Sequence, residues 1–208
     1  MTLKLKTVTY SNAYIDLSRE ELLGQVSQVM SDKRFTHVKG VEQAALELAE
    51  RYGANLEQVS IAALLHDFAK EQSDEEMRDI IISENMDLEL LQYGNNIWHG
   101  PVGAVVVRNQ FSIQDQDILD AIRHHTVGSP HMGIIEQIIY LADYIEPNRT
   151  FKGVDKARKL AEIDMAKGIA YATFKTLKHL LNKNVKIYPK AIETYNAWVV
   201  QKQEELHD

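Results

Sequence analysis

The stretch Ile61-Ala62-Ala63-Leu64-Leu65-His66-Asp67-Phe68-Ala69-Lys70 decides how this chain is read. Its apolar half belongs inside a protein, on a helix. A histidine and an aspartate closing that helix are costly to bury unless something cationic holds them there. The theme recurs along the chain. His37 lies about one long helix upstream, His99 and the pair His124-His125 follow, and Asp143 closes a second apolar run, Ile138-Ile139-Tyr140-Leu141-Ala142. Of eight histidines, five fall into one ordered series with these two aspartates. Such a series points to a metal site.

Composition narrows the class. With 208 residues the chain is long enough to bury a proper core. We divide it into an N-terminal extension, 1–17, strand-like or mobile, and one domain over 18–206. The net charge of −7 makes a nucleic-acid polymer a poor partner, since backbone phosphates need a basic face. A small anion needs only a local cluster of cations. Cysteine is absent, which excludes disulfides and thiolate ligands. Met1 to Tyr14 lacks the apolar core of a signal peptide, and no run approaches the ~18 apolar residues of a membrane span. The expectation is a cytoplasmic protein without a membrane partner.

Apolar residues recur at helical spacing, so the predicted fold class is all-α, a helical bundle with a metal site in its centre. Ser18 with Glu21 opens a helix that runs to about Met30. The next spans Arg34 to Arg51 and stops at Gly53. Asn55 caps a helix to about Ala69, and Ser73 with Glu76 caps another to about Glu84. Tyr93 to Ile97 reads as irregular, with Gly100-Pro101 opening the following helix. Further helices are predicted over 115–125, 133–145, 155–182 with a break near Asp164, and 189–205.

Imidazole and carboxylate together suit divalent Fe, Mn, Co, Ni or Zn. His37, His66, Asp67 and Asp143 as ligands leave positions open, the mark of a catalytic centre. His99, His124 and His125 are placed to hold a second ion through a bridging carboxylate, or to donate hydrogen bonds to a phosphate. His131, His179 and His207 receive no role. Cations stand beside the ligands: Arg34 three residues before His37, Lys70 three after Asp67, Arg149 just beyond Asp143. A polyphosphate requires such a ring, although a cation at a helix end also serves the last carbonyls.

Arg34-Phe35-Thr36-His37, Leu64 to Lys70, His99-Gly100-Pro101-Val102-Gly103-Ala104, Ile122 to Gly128 and Tyr140 to Arg149 together resemble the HD-domain metallohydrolases, and among them the YqeK-type enzymes. The resemblance covers about residues 18–200. It implies a helical fold, iron as the usual metal (one or two ions, with Mn, Co or Ni able to substitute), and symmetrical hydrolysis of diadenosine tetraphosphate (Ap4A) to two ADP. By position, His37, His66, Asp67 and Asp143 match the metal ligands. Arg34, His37, Asp67, Phe68, Ala69, Lys70, His99, His125, Thr126, Asp143, Arg149, the tail Lys186, Ile187, Tyr188, Pro189, Lys190, Ala191 and, more weakly, Asn196 match positions that face the nucleotide, Ap4A, ADP or GDP.

The expected chemistry is attack by water activated on the metal. Asp67 or Asp143 orients it, Arg34, Lys70, Arg149 or Lys190 neutralise the leaving ADP, and His99 and His125 bind a second metal or deliver a proton. One ADP moiety is gripped, and the other half of the substrate is expected to project to solvent. Other nucleotide phosphohydrolases of this fold (5′-nucleotidase, deoxynucleoside triphosphatase, alarmone hydrolase) share the ligand set, and a non-catalytic nucleotide sensor is the rival from another class. Gly128-Ser129-Pro130-His131 departs from the Gly-Tyr-Pro of cyclic-dinucleotide phosphodiesterases. Ile192, Tyr195, Trp198 and Val199 on the last helix could face the core or a second copy in a homodimer.

Overall fold

A computed structural model describes residues 8–200, and every regular element among them is helical. Helix α1 (Arg19–Gln28) begins where the capping box placed it: Glu21 N–H donates to Ser18 Oγ, and the Glu21 carboxylate accepts from Ser18 N–H at 2.8 Å. Helix α2 (Asp32–Tyr52) is capped by Ser31 and stops at Gly53, whose φ of 71° suits a residue without Cβ.

Helix α3 (Leu56–Leu65) ends before the His-Asp pair rather than at Ala69. The cause is local. His66 Nδ1 lies 2.7 Å from the Ala63 carbonyl, the acceptor that the Asp67 N–H would take in a continuing helix. The chain tightens instead into successive turns, Phe68 N–H to Leu65 O at 3.0 Å and Lys70 N–H to Asp67 O at 2.9 Å. Asp67 thereby leaves the helix and points into the site.

After α4 (Asp74–Ser83) and a short 3-10 helix (Leu88–Gln92), helix α5 spans Asn95–Phe111, with Pro101 inside it. The predicted irregular stretch Tyr93 to Ile97 is thus partly helical. Trp98 explains the early start: it is buried, its indole N–H donates to the Leu90 carbonyl, and it packs in a small cluster with Met77, Ile81, Val102 and Tyr188. Tertiary packing thereby supports a turn that Pro101, lacking an N–H, cannot close. Helices α6 (Gln116–His124), α7 (Ile134–Ile145), α8 (Val154–Ile163) and α9 (Met165–Asn182) follow. The break expected near Asp164 is present: extended there, Asp164 closes α8 and accepts from Ala166 N–H at 2.8 Å to open α9.

Helix α10 runs over Pro189–Trp198; the predicted continuation to 205 passes beyond the described residues after 200. Trp198 donates to the Ser129 carbonyl at 2.9 Å and Val199 is buried, so these two face the bundle. Ile192 is exposed.

At the centre, α2, α3 and α7 pack together, with α6 closing on α3 and α7. The core holds Ile61, Leu64, Leu65, Ile118, Ile122, Ile138 and Ile139, all fully buried. From Val59 to Leu65 α3 is buried on every side, so only its first turn, with Glu57 and Gln58, meets solvent. Residues 8–17 are neither strand nor loosely held. Val8, Tyr10 and Ile15 are buried, and the Tyr10 hydroxyl is 2.9 Å from Ser60 Oγ. Ser60 donates to Glu42 at 2.6 Å, and Arg19 grips the same buried carboxylate with two N–H groups at 2.8 and 2.6 Å.

Candidate metal and nucleotide site

The C-terminal ends of α3 and α6 and the N-terminal parts of α2 and α5 bring four histidines together. Each is oriented by an oxygen behind it. His66 Nδ1 faces Ala63 O at 2.7 Å, His125 Nδ1 faces Ile122 O at 2.8 Å, and His99 Nδ1 faces Asn95 O at 2.8 Å. His37 Nδ1 faces Glu146 Oε1 at 3.2 Å. An acceptor oxygen fixes the proton on Nδ1, which leaves the Nε2 lone pair of all four rings directed inward.

Asp67 stands between them. Its Oδ2 is 3.4 Å from His66 Nε2 and 3.7 Å from His37 Nε2, while its Oδ1 is 3.4 Å from His99 Nε2 and 3.6 Å from His125 Nε2. Lone pairs facing a carboxylate are a poor arrangement on their own. Among the described residues the buried Nε2 atoms of His37 and His66 have no hydrogen-bond partner, and His99 Nε2 and His125 Nε2 are only 2.9 Å apart. A cation between these atoms satisfies them all, so the donor set fits a divalent metal. His37, His66 and Asp67 form one ligand-bearing group, and Asp67, His99 and His125 form another, with Asp67 common to both. Asp143 adds a carboxylate at the rim, its Oδ1 3.0 Å from His37 Nε2.

The electrostatics agree. Burial alone would raise both carboxyls, but His66 and His125 around Asp67, and His37, His66 and Arg149 around Asp143, outweigh it and hold both well below the usual carboxylate range. His99 is pushed down to about 3 by burial and by its neighbour His125, in keeping with a neutral ring. Burial likewise lowers Lys70, partly opposed by Asp67.

Two glycines make the approach possible. A Cβ on Gly100 would stand 2.7 Å from the Arg123 carbonyl oxygen, so only glycine lets α5 lie against the end of α6 and His99 meet His125. A Cβ on Gly40 would collide with the Glu146 carboxylate that holds His37 and lie 2.8 Å from Asn148 Nδ2.

Above the histidines opens a cleft of about 970 Å³. Of the expected nucleotide-facing residues, Arg34, Asp67, Lys70, His99, His125, Thr126, Asp143, Arg149, Lys186, Tyr188 and Ala191 line it. Arg34 Nη1 donates to Asp67 at 2.7 Å and Arg149 Nη2 to Asp143 at 2.9 Å, with further guanidinium N–H groups available. Lys70 Nζ reaches Asn96 Oδ1 at 3.1 Å, and Lys186 Nζ reaches Gln92 Oε1 at 2.8 Å across the ring of Tyr93. Thr126 Oγ1 lies 3.0 Å from His99 Nε2 and 2.9 Å from His125 Nε2, so its one hydroxyl hydrogen can be donated to either ring.

Other candidate residues lie outside the cleft lining. Phe68 is buried against Phe111 and Ala69 is fully buried, because the tight turn aims Asp67 at the site and sends its neighbours into the core. Lys190 points away from the cleft, 3.7 Å from Asp87. Pro189 opens α10, and Ile187 takes part through its carbonyl, which accepts from Tyr93 OH at 3.3 Å. Asn196 is exposed on α10 and does not line the cleft. His124 leaves the cluster altogether. It turns from its neighbour His125 to pair with Glu136 at 2.7 Å, since adjacent residues at a helix end project in different directions.

Sequence reasoning also missed residues. Glu146, almost fully buried, orients His37 and accepts from Asn148 N–H at 2.7 Å and Asn148 Nδ2 at 2.9 Å. Its signal was legible: an acidic residue directly after the apolar helix that carries Asp143. Thr173, Thr176 and His179 of α9 line the cleft, and no local motif marks them.

Comparison with known proteins accords with this geometry. Residues 34–148 match the HD domain family. The chain is 47% identical, over 88% of its length and 98% of the relative's, to the bis(5′-nucleosyl)-tetraphosphatase, symmetrical, of Bacillus subtilis (strain 168). It is 40% identical, over 90% of its length and 100% of the relative's, to the protein of the same name from Halalkalibacterium halodurans. A crystal structure described as a predicted HD superfamily hydrolase involved in NAD metabolism, from Clostridium acetobutylicum, superposes with a TM-score of 0.85 at 34% identity, covering 89% of this chain and 99% of that one. The chain belongs to the HD domain family, within the group whose curated members are named symmetrical bis(5′-nucleosyl)-tetraphosphatase.

Proposed function

We propose that this protein is a metal-dependent hydrolase that cleaves Ap4A symmetrically into two ADP. One observation carries the reading: four inward imidazole lone pairs meet one buried carboxylate at the floor of a cleft walled by Arg34, Lys70, Arg149 and Lys186. In this reading His37, His66, Asp67 and Asp143 would hold one divalent ion, and Asp67, His99 and His125 would hold a second. Nitrogen and oxygen donors of this kind suit iron, with manganese, cobalt or nickel as substitutes. When bound, such ions supply a water of lowered pKa and Lewis-acid stabilisation of the attacked phosphoryl group.

The chain's own residues do the rest. Arg34 and Arg149 each keep N–H donors beyond those engaged by Asp67 and Asp143, and guanidinium matches phosphate geometry. Lys70 and Lys186 approach from the Asn96 and Tyr93 side of the cleft. Together they fix one ADP moiety so that the central bridging oxygen lies over the histidines. Water oxygen bonds to phosphorus as its protons pass to solvent, the bond from that phosphorus to the central bridging oxygen breaks, and the second ADP leaves with that oxygen. A terminal phosphate has a second pKa of about 6, so the leaving group departs as an anion at neutral pH. It needs cations more than a proton donor, and the lysines and arginines supply them. Thr126 and Glu146 act as positioning residues, one within donor reach of His99 and His125, the other aligning His37.

No helix among the described residues is long and apolar enough to cross a membrane; we place the enzyme in the cytoplasm, acting on free nucleotide. The test is product identity. Purified anaerobically with its metals counted, the protein should convert Ap4A to ADP alone, with one oxygen-18 atom from labelled water in one of the two ADP molecules. Products of ATP plus AMP would mean that a different phosphate is attacked and would overturn the symmetrical reading.

A further inference from the structure

A second groove, of about 690 Å³, opens beside the cleft and shares Asp143, Arg149, Thr176 and His179 with it. Helix α9 is the wall between them. Lys175, Lys178 and Asn182, spaced three and four apart, turn to the groove, while Thr173, Leu177 and Leu180 turn to the cleft. Lys152 completes a cationic lining from the turn between α7 and α8, and Tyr144 and Phe151 supply an aromatic corner, their ring centroids 5.0 Å apart.

Three features set this groove apart. The protein carries a net charge of −7, yet Asp143 is the one carboxylate among the described residues that line the groove. Among the described residues, none of Lys152, Lys175 and Lys178 makes an ion pair with a carboxylate: Lys175 rests over Tyr171 and Lys178 over Phe174. Like charges gathered without counter-charges repel one another, and an anion relieves that cost. Phe151 keeps a large exposed ring, 40% accessible, where a base could stack.

We propose that this groove is the subsite for the distal nucleotide half of the substrate, with Lys152, Lys175 and Lys178 on its phosphates and Phe151 against its base. The inference rests on the dinucleotide reading above and revises the expectation that the distal half projects into solvent. It also gives symmetrical cleavage a geometric basis. Two nucleotide sites that share Asp143 and Arg149 place the middle of the tetraphosphate beside the histidine cluster, so the central bond is the one presented. A mononucleotide such as ADP needs only the cleft.

Full-length, metal-loaded protein would be titrated calorimetrically with two ligands, ADP and an Ap4A analogue whose central bridging oxygen is a methylene. Changing Lys152→Gln, Lys175→Gln and Lys178→Gln together should weaken the analogue roughly tenfold, the size expected of three partly exposed charge contacts, while ADP affinity changes less than about twofold. Phe151→Ala should weaken the analogue a few-fold by loss of stacking, and the KM for Ap4A should rise in step with both. Unchanged analogue binding in the triple variant, or equal losses for ADP and the analogue, would overturn the subsite. Lysine-dependent analogue binding by a wild-type protein that does not cleave Ap4A would refute the hydrolase reading and uphold the subsite.

Discussion

Replacing Gly100 by alanine sets two well-known effects against each other, and the structure decides the sign. Alanine in a helix interior is favoured over glycine by ~0.5–1 kcal/mol. At position 100, however, the new Cβ would lie 2.7 Å from Arg123 O and 3.3 Å from Ile122 O, both backbone atoms that no rotamer change can move. Helix α5 must therefore back away from the end of α6 by several tenths of an ångström. Overpacking costs ~1–3 kcal/mol, and a Cβ 2.7 Å from a backbone oxygen belongs to the upper part of that range, so after the propensity gain the expected net loss is ~1–2 kcal/mol, or a fall in Tm of roughly 2–8 °C for a domain of this size. The same shift parts His99 Nε2 from His125 Nε2, now 2.9 Å apart, and turnover should drop at least tenfold, on the order of what misplaced reacting groups cost. Gly24 is the control. It lies mid-helix in α1 with nothing within 4 Å of a built Cβ, so Gly24→Ala should stabilise by ~0.5–1 kcal/mol. Thermal unfolding of both metal-free variants, followed by circular dichroism, separates packing from metal binding. A Gly100→Ala protein as stable as Gly24→Ala, with wild-type turnover, would refute the packing argument.

Asp67→Ala removes the carboxylate common to both ligand groups, so metal content and hydrolysis should fall together while helical content persists; normal metal content by atomic absorption would sink the assignment. Arg19→Met should strand the Glu42 carboxylate, which is only 1% exposed, and cost ~3–5 kcal/mol, as expected when one partner of a buried pair is lost. Urea unfolding would measure it, and a loss below about 1 kcal/mol would show that Glu42 does not depend on Arg19. Metal itself should stabilise the fold: at a hundredfold excess over Kd it contributes ~2.7 kcal/mol, and an unchanged Tm after chelation would contradict a site built around an ion.

Helix positions and candidate ligands were legible along the chain because both are written locally. A cap such as Ser18 with Glu21, or a break such as Asp164, acts within three residues. The pairing of His66 with Asp67 at the end of an apolar run is equally local, since a buried charge there has few explanations besides a metal. The candidate residues that lie outside the cleft lining, Phe68, Ala69 and Lys190 among them, sit next to residues that line it, and neighbours in sequence face different ways once a turn tightens.

The amino-acid sequence by itself determined the helical class, the candidate metal donors and the cations beside them, for each follows from residue type and short-range spacing. Only tertiary structure decided what those donors face. His124 and His125 are adjacent in sequence, yet one pairs with Glu136 and the other enters the cluster. Glu146 acquires its role because α2 brings His37 and Gly40 against the end of α7. Helix α9 carries no recognisable motif, yet its packing against α7 sets Thr176 and His179 between two sites. Direction is a property of packed helices, and spacing along one chain records it only within a turn or two.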